Sequence, residues 1–508
     1  MGGTDNTATV KPEFNKFQSI FWPIHGYELK KFLPMSFLMF CILFVYTMVR
    51  DLKDVFIQKY ATCGGTGLIP PLKLFFVMPA AFLVVILFTY LVNKFGVNKT
   101  FYIIVSSFIA FYAVFLIFWF PKAINGTLHA DAATVQHLQN TMPGFLHYII
   151  PCVTNWSYTL FYIISEMWGT LAISSLFWQF ANHVTMKNEV KRFFGFYTTI
   201  GNIGVICSGS FLHTMSHAKG DAFVRNVKIL IIACMLFAIA TMALYYYINN
   251  VVLKDPKCYD PTLIKKKKKK EKIGIMDGIK FLVTSPYFML ICVIVVAYGI
   301  GINFTELVWK EHMRVTLTDP DQYSAMMGNL SMVTGILTII FTFVASNILR
   351  RFSWKVSALI TPVTTIILGG LFFGIMSYLQ LGGKVLFGLP LPILAVWIGL
   401  VVDAISKGVK YCLFDQTKSM AYIPLDEDSR VKGQAAVEVI GGRAGKAGAS
   451  AIVWTLTNVV LAGSGILRHL FTIIPLFFAI LVAWIASVCK LSVKYEEKIE
   501  ERDKEQLA

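Results

Sequence analysis

Two permanent cations stand three residues apart in the stretch Gly442-Arg443-Ala444-Gly445-Lys446-Ala447-Gly448, inside a run that is otherwise almost free of charge. A lysine or arginine near the middle of a bilayer costs about 2.5 to 3.5 kcal/mol on insertion scales, so it persists there only where something anionic compensates it. Helical positions three or four apart share a face, so Arg443 with Lys446, and Arg50 with Lys53, each form a cationic doublet. Two doublets from different parts of a chain suit a polyphosphate gripped from both sides.

The plainer use of such charges is mutual neutralisation. Asp54 lies four residues after Arg50, Lys407 lies four after Asp403, and Glu166 or Glu306 is available to Lys446. Lys53 and Lys446 have no acid at helical spacing inside their own spans and are the first choice as phosphate ligands, although Lys53 stands at a span end and could reach water by snorkelling. Arg50 and Arg443 rank behind them. A carboxylate repels phosphate, so Glu166 and Glu306 are expected to latch the cations, to carry a proton, or to accept a hydrogen bond from a base edge. Tyr162, Tyr158 and Asn155 precede Glu166 by 4, 8 and 11 residues and share its helical face, which makes them candidates for a nucleobase pocket. Packing is the commoner use of such an aromatic stripe.

Catalytic chemistry finds no constellation. Gly441-Gly442-Arg443-Ala444-Gly445-Lys446-Ala447 only faintly echoes a phosphate-binding loop: three residues separate the glycines where the loop has four, Ala447 stands in place of the Mg²⁺-binding hydroxyl, and no soluble strand precedes it. No catalytic residue, no metal site and no cofactor is expected. The nine cysteines show no metal-ligand spacing and read as small packing residues.

The elements that hold these charges must be transmembrane helices. Apolar residues make up 56% of the 508 and charged residues 15%, and the mean hydropathy is +0.63, far beyond what a soluble domain needs. Uncharged stretches near spanning length recur from 34–49 to 469–489. With 145–186 and 433–467 each taken as one span, about twelve helices result. The spacing places the Arg50 to Asp54 cluster at the end of the first span, Glu166 near the centre of the fourth, Glu306 at the end of the seventh, and Lys446 close to mid-bilayer in the eleventh. Loop charges support an even number: Lys30, Lys31, Lys94, Lys99, Lys187, Lys191, Arg192, Arg350, Arg351 and Lys355 fall in alternate loops, as cytoplasmic loops should. The net charge of +17 is thus topology and contact with anionic lipid headgroups rather than nucleic-acid affinity.

The lysine-rich segment divides the spans six and six. The expected organisation is a cytoplasmic segment 1–33, a six-helix half 34–253, a basic linker 254–280, a second half 281–490 and a charged tail 491–508. Repeated features join the halves: Arg192-Phe193-Phe194-Gly195 with Arg430-Val431-Lys432-Gly433, Lys94-Phe95-Gly96 with Arg351-Phe352-Ser353, and Leu176-Phe177 with Leu413-Phe414. An all-α, major-facilitator-like protein follows, with its substrate site near midplane between the halves. Gly201, Gly204 and Gly209, and Gly441, Gly442, Gly445 and Gly448, are expected to let helices pack closely. The N-terminus shows no cleavable signal, transit or myristoylation pattern, so insertion into a bacterial cytoplasmic membrane is expected.

At several of these residues the chain resembles the ATP/ADP translocases, the nucleotide transporters of obligate intracellular bacteria and plastids. The segments are Trp22-Pro23-Ile24-His25, Arg50-Asp51-Leu52-Lys53-Asp54, Glu166-Met167-Trp168-Gly169, Leu176 through Asn182, Glu306-Leu307-Val308-Trp309-Lys310, Leu413-Phe414-Asp415, and Met420 through Asp426. The resemblance implies exchange of ATP for ADP, with phosphate as a further passenger, by a monomer in the inner membrane of an intracellular bacterium. It also implies that Lys53, Glu166, Glu306 and Lys446 matter. Leu52 stands where many members carry threonine, a change expected to bear on the choice among nucleotides. The alternative is a proton-coupled carrier of GTP, UTP, CTP or NAD.

Overall fold

The computed structural model describes residues 24–218, 220–255, 284–386, 388–426, 433, 434, 437, 441–461 and 463–507. All but the first two residues of the basic segment 254–280 lie outside these, as do Glu438 and the Arg430 to Lys432 half of one repeat. In a bilayer each backbone N–H and C=O must be satisfied within its own segment, which leaves helices as the spanning elements of such a chain. Nine described helical stretches are long and apolar enough to cross.

They are α1 (Gly26–Tyr60), the bent stretch Thr66–Ile124, α4 (Trp156–Val184), α6 (Asp221–Val252), α7 (Pro286–Thr316), α8 (Pro320–Arg351), α9 (Trp354–Gln380), α10 (Leu391–Met420) and α12 (Ile466–Glu501). Thr66–Ile124 turns at Gly96, whose φ of +77° only glycine adopts without strain; its arms 66–95 and 97–124 are α2 and α3. Lys187–Met215 is α5, and its Thr, Gly, Asn and Ser residues keep it out of the most apolar set. Gly442–Trp454, continued by Thr455–Val460, is α11. Dividing the bent stretch and adding these two accommodates the twelve passes read from the sequence. The repeats Leu176-Phe177 and Leu413-Phe414 both close π-helical stretches, Gly169–Phe177 in α4 and Lys410–Phe414 in α10.

Small residues set the distance between the halves. A Cβ on Gly209 of α5 would stand 2.6 Å from the Gly328 carbonyl and 2.7 Å from the Met332 amide of α8, so the two backbones touch. Gly204 meets the Phe40 carbonyl of α1 in the same way, and Gly445 meets Gly299 of α7. Gly442 differs from the packing expectation: nothing lies within 4 Å of its Cβ position, because it borders a cavity. Gly209→Ala must push α5 from α8 and is expected to lower stability by about 1–3 kcal/mol, seen as a fall in the thermal unfolding midpoint in detergent, whereas Gly442→Ala should leave that midpoint in place. Equal midpoints for both variants would show that the α5–α8 crossing has slack.

Two of the cations read as loop charges are also structural. Lys31, 1% exposed, pairs with Glu189 at 2.6 Å, and Arg192 clasps Glu28 at 2.6 Å, so α1 and α5 are tied at their N-terminal ends. At the other end, contacts join the halves. The Lys59 ammonium donates to the carbonyls of Arg314 (3.0 Å), Leu317 and Thr318 (3.2 Å), where a cation complements the C-terminal end of the α7 dipole. The Tyr148 hydroxyl donates to the Ser464 carbonyl (3.1 Å) and the Ser216 hydroxyl to Ser324 (2.8 Å). By the loop charges this sealed end faces away from the cytoplasm.

Candidate anion-binding site between the halves

The hydropathy reading ends the first span at the first charge, and the structure does not. α1 runs unbroken past Val49 to Tyr60, which carries Arg50, Lys53 and Asp54 inside the protein. Likewise α7 continues ten residues beyond Glu306 to Thr316. A charge inside a helix ends a hydropathy window but not a helix when a neighbouring helix supplies its counter-ion.

Those counter-ions form one chain of alternating sign. Glu166 of α4 is 3.1 Å from Lys53, Lys53 is 3.0 Å from Asp54, and Asp54 is 2.7 Å from Lys310 of α7. Lys310 is 2.7 Å from Glu306, Glu306 is 3.6 Å from Lys407 of α10, and Lys407 is 2.8 Å from Asp403. Lys53 also rests over the Tyr162 ring, 3.8 Å from its centroid, a favourable seat for a cation. Arg50 pairs not with Asp54, four residues on, but with Asp51 (3.0 Å) and with the Ser331 hydroxyl of α8 (2.7 Å).

Arg50, Lys53, Asp54, Glu166, Glu306, Lys310 and Lys407 border a cavity of about 380 Å³ whose wall draws on both halves. Arg50, Lys53, Glu166, Glu306, Arg443 and Lys446, each singled out in the sequence, all line it. Lys446 is exposed to the cavity and, among the described residues, has no carboxylate within ion-pair distance; the pairing with Glu166 or Glu306 considered above does not occur. Lys53 does not snorkel: it is 3% exposed.

The proposed nucleobase face is not at this cavity. Chain geometry breaks at Asn155 (φ −96°, ψ 45°), between a short helix Ile149–Thr154 and the start of α4, so a face counted from Glu166 does not continue through it. Its amide is consumed by backbone: Oδ1 accepts from the Thr62 amide (2.8 Å) and Nδ2 donates to the carbonyls of Thr62 (2.9 Å) and Pro151 (2.8 Å). Tyr158 stacks on Phe56 with ring centroids 5.4 Å apart and is 1% exposed. Tyr162 is fully buried beneath Lys53. Leu52 is fully buried in the core as well, away from the cavity, which removes the reason for linking it to nucleotide choice.

Five further cations line the cavity: Lys73, Lys310, Lys407, Lys410 and Lys418. In the sequence Lys407 was weighed only as the partner of Asp403 and Lys310 was named only within the Glu306 to Lys310 segment, while Lys73, Lys410 and Lys418 were not singled out. Lys73 is the clearest case. It follows Pro70-Pro71 just before an apolar run, yet the helix begins at Thr66, and a π-helical stretch Leu72–Val77 turns the ammonium toward α7, where it donates to Asn303 Oδ1 at 2.9 Å. Widened turns of this kind often re-aim side chains at functional sites. In all, nine lysines and arginines face the cavity against four carboxylates, Asp54, Glu166, Glu306 and Asp415. Such a wall attracts and holds a multiply charged anion, and its aromatic members, Tyr298 stacked on Phe414 at 4.7 Å, offer a face to a flat ring.

Comparison with known proteins agrees with this architecture. A D-xylose–proton symporter matches over 92% of this chain and 97% of its own, with a TM-score of 0.56 at 13% identity. A POT-family transporter matches over 91% and 96% with a TM-score of 0.55 at 11% identity. These show the two-half, major-facilitator-like fold. Sequence relatives are much nearer: proteins named ADP,ATP carrier protein 1 from Rickettsia prowazekii (38% identity, covering 98% of this chain and 100% of the relative), Rickettsia bellii (37%, 98% and 100%) and Chlamydia trachomatis (35%, 96% and 92%). A family model described as TLC ATP/ADP transporter matches residues 7–495, and with relatives this similar over nearly the whole length, the chain belongs to the TLC ATP/ADP transporter family.

Proposed function

We propose that this multi-pass membrane protein exchanges ATP for ADP across the inner membrane of an intracellular bacterium by alternating access, with the cationic cavity as its substrate site. The observation that carries this is the inter-half cavity with nine cations and four carboxylates in its wall, at the place where such folds hold their substrates. Lys53 and Lys446 hold phosphates, supported by Arg50 and Arg443. Glu166 and Glu306 act as latches: each already neutralises cavity lysines, and an incoming phosphate competes with it for them. The described wall of the cavity draws on both halves of one chain, which supports transport by a monomer. Bringing in ATP, with about four charges, for ADP, with about three, moves one negative charge inward against roughly 2.3 kcal/mol per 100 mV; phosphate leaving with ADP cancels that opposition.

Proteoliposomes loaded with ADP and supplied with labelled ATP test the exchange. Uptake should rise steeply with internal nucleotide, and uptake indifferent to it refutes the proposal. Lys446→Ala should weaken ATP by about 10- to 100-fold, the value of one charge-assisted contact, and leave competition by adenosine nearly unchanged. Equal losses for both would remove Lys446 from phosphate binding.

A further inference from the structure

Among the described residues, the cations around the cavity divide into those paired with a carboxylate and a remainder. The chain from Glu166 to Asp403 holds three lysines and four carboxylates, and Arg50 is matched by Asp51. Asp415 lies between Lys410 (2.8 Å) and Lys418 (3.7 Å). In these three groups every cation has a carboxylate partner. What remains is Lys73, Arg443 and Lys446. Lys73 has only the neutral Asn303 amide oxygen as its hydrogen-bond partner. Arg443 faces the Phe82 ring at 4.9 Å, and its Nη1 is buried with no acceptor. Lys446 has no carboxylate within ion-pair distance among the described residues.

The three lie on α2 and α11, one from each half, where Phe75 of α2 meets Trp454 of α11 edge-on at 5.2 Å. Closing the cavity strips water from whatever charges it holds, and a charge without a counter-ion resists that most. An empty cavity therefore closes over three bare cations. A cavity holding ADP, with about three negative charges near neutral pH, closes over none.

Resting on the exchange function above, we propose that Lys73, Arg443 and Lys446 form an uncompensated triple charge that makes switching between the two faces conditional on a bound polyanion, so that they enforce the coupling of import to export. Lys73 is the member that was not singled out in the sequence.

The full chain in liposomes preloaded with labelled ADP gives the test, with two rates measured: exchange against external ATP, and efflux into nucleotide-free medium. For the unaltered chain, exchange should be fast and efflux near background. Lys73→Gln and Lys446→Gln should each raise the ratio of efflux to exchange about tenfold, since each lowers the cost of closing an empty site, and Lys73→Arg should keep the original ratio. Lys73→Gln should also favour AMP, with about two charges, relative to ADP. A ratio of efflux to exchange that stays put in both glutamine variants overturns the proposal, whether or not exchange itself slows. If a glutamine variant carries no flux, its AMP-to-ADP affinity ratio decides: a shift toward AMP supports the triple charge and an unchanged ratio overturns it. An unaltered chain that fails to exchange removes the transport function and this inference together, whereas one that exchanges while the variants behave like it removes the inference alone.

Discussion

Lys53→Met is expected to reduce nucleotide exchange by about 100-fold or more. Its ammonium touches Asp54 and Glu166 at 3.0 and 3.1 Å from a position 3% exposed. Asp54 keeps Lys310 when Lys53 is removed, but Glu166 loses the one cation within ion-pair distance of it among the described residues. Stranding one partner of a buried pair costs about 3–5 kcal/mol, so loss of activity alone would not separate a ligand from a strut. The double variant Lys53→Met, Glu166→Gln does separate them. Removing the stranded carboxylate should return much of the lost thermal stability, while exchange stays low because the phosphate ligand is still missing. Exchange that recovers along with stability would make Lys53 a neutralising residue and nothing more.

The sequence shows the fold in good measure because bilayer thickness and loop charge act along the chain: long uncharged runs become helices, and Lys94, Arg192 or Arg351 mark turns between them. Spans are harder to end correctly. Lys73 does not stand out in one dimension because the group that holds it, Asn303, belongs to another helix, and although Lys310 has Glu306 four residues before it on its own helix, its second partner Asp54 comes near only in the tertiary structure. The reverse error affects Asn155 and Tyr158. Their spacing from Glu166 describes one helical face only while the helix is continuous, and the break at Asn155 with the packing of Phe56 against Tyr158 takes that face out of the cavity. Glu166, Arg443 and Lys446 stood out in the sequence because they lie deep inside otherwise apolar runs, where the cost of a charge is largest and a reason for it most needed.

Asp54→Asn should have the second largest effect, and through the relation between the halves rather than through the cargo. Asp54 accepts from Lys310 of the opposite half at 2.7 Å and from Lys53 of its own at 3.0 Å; among the described residues it is the one carboxylate ion-paired across the halves. Each lysine keeps a second acid, Glu306 or Glu166, so the expected loss of stability lies at the lower end for a broken buried pair, about 3 kcal/mol. Transport should suffer as well, because Lys53 and Lys310 would then lean on the two glutamates that a phosphate must displace. A double-mutant cycle with Lys310→Met measures the link. If the pair joins the halves, the combined loss should fall short of the sum of the single losses by about 0.5–3 kcal/mol, and adding Lys310→Met to Asp54→Asn should cost little further stability. Losses that simply add would mean that Asp54 serves Lys53 alone, and the two halves would then be joined at the cavity by the Arg50–Ser331 and Lys73–Asn303 hydrogen bonds and, away from it, by the Lys59 carbonyl contacts and the α5–α8 backbone crossing.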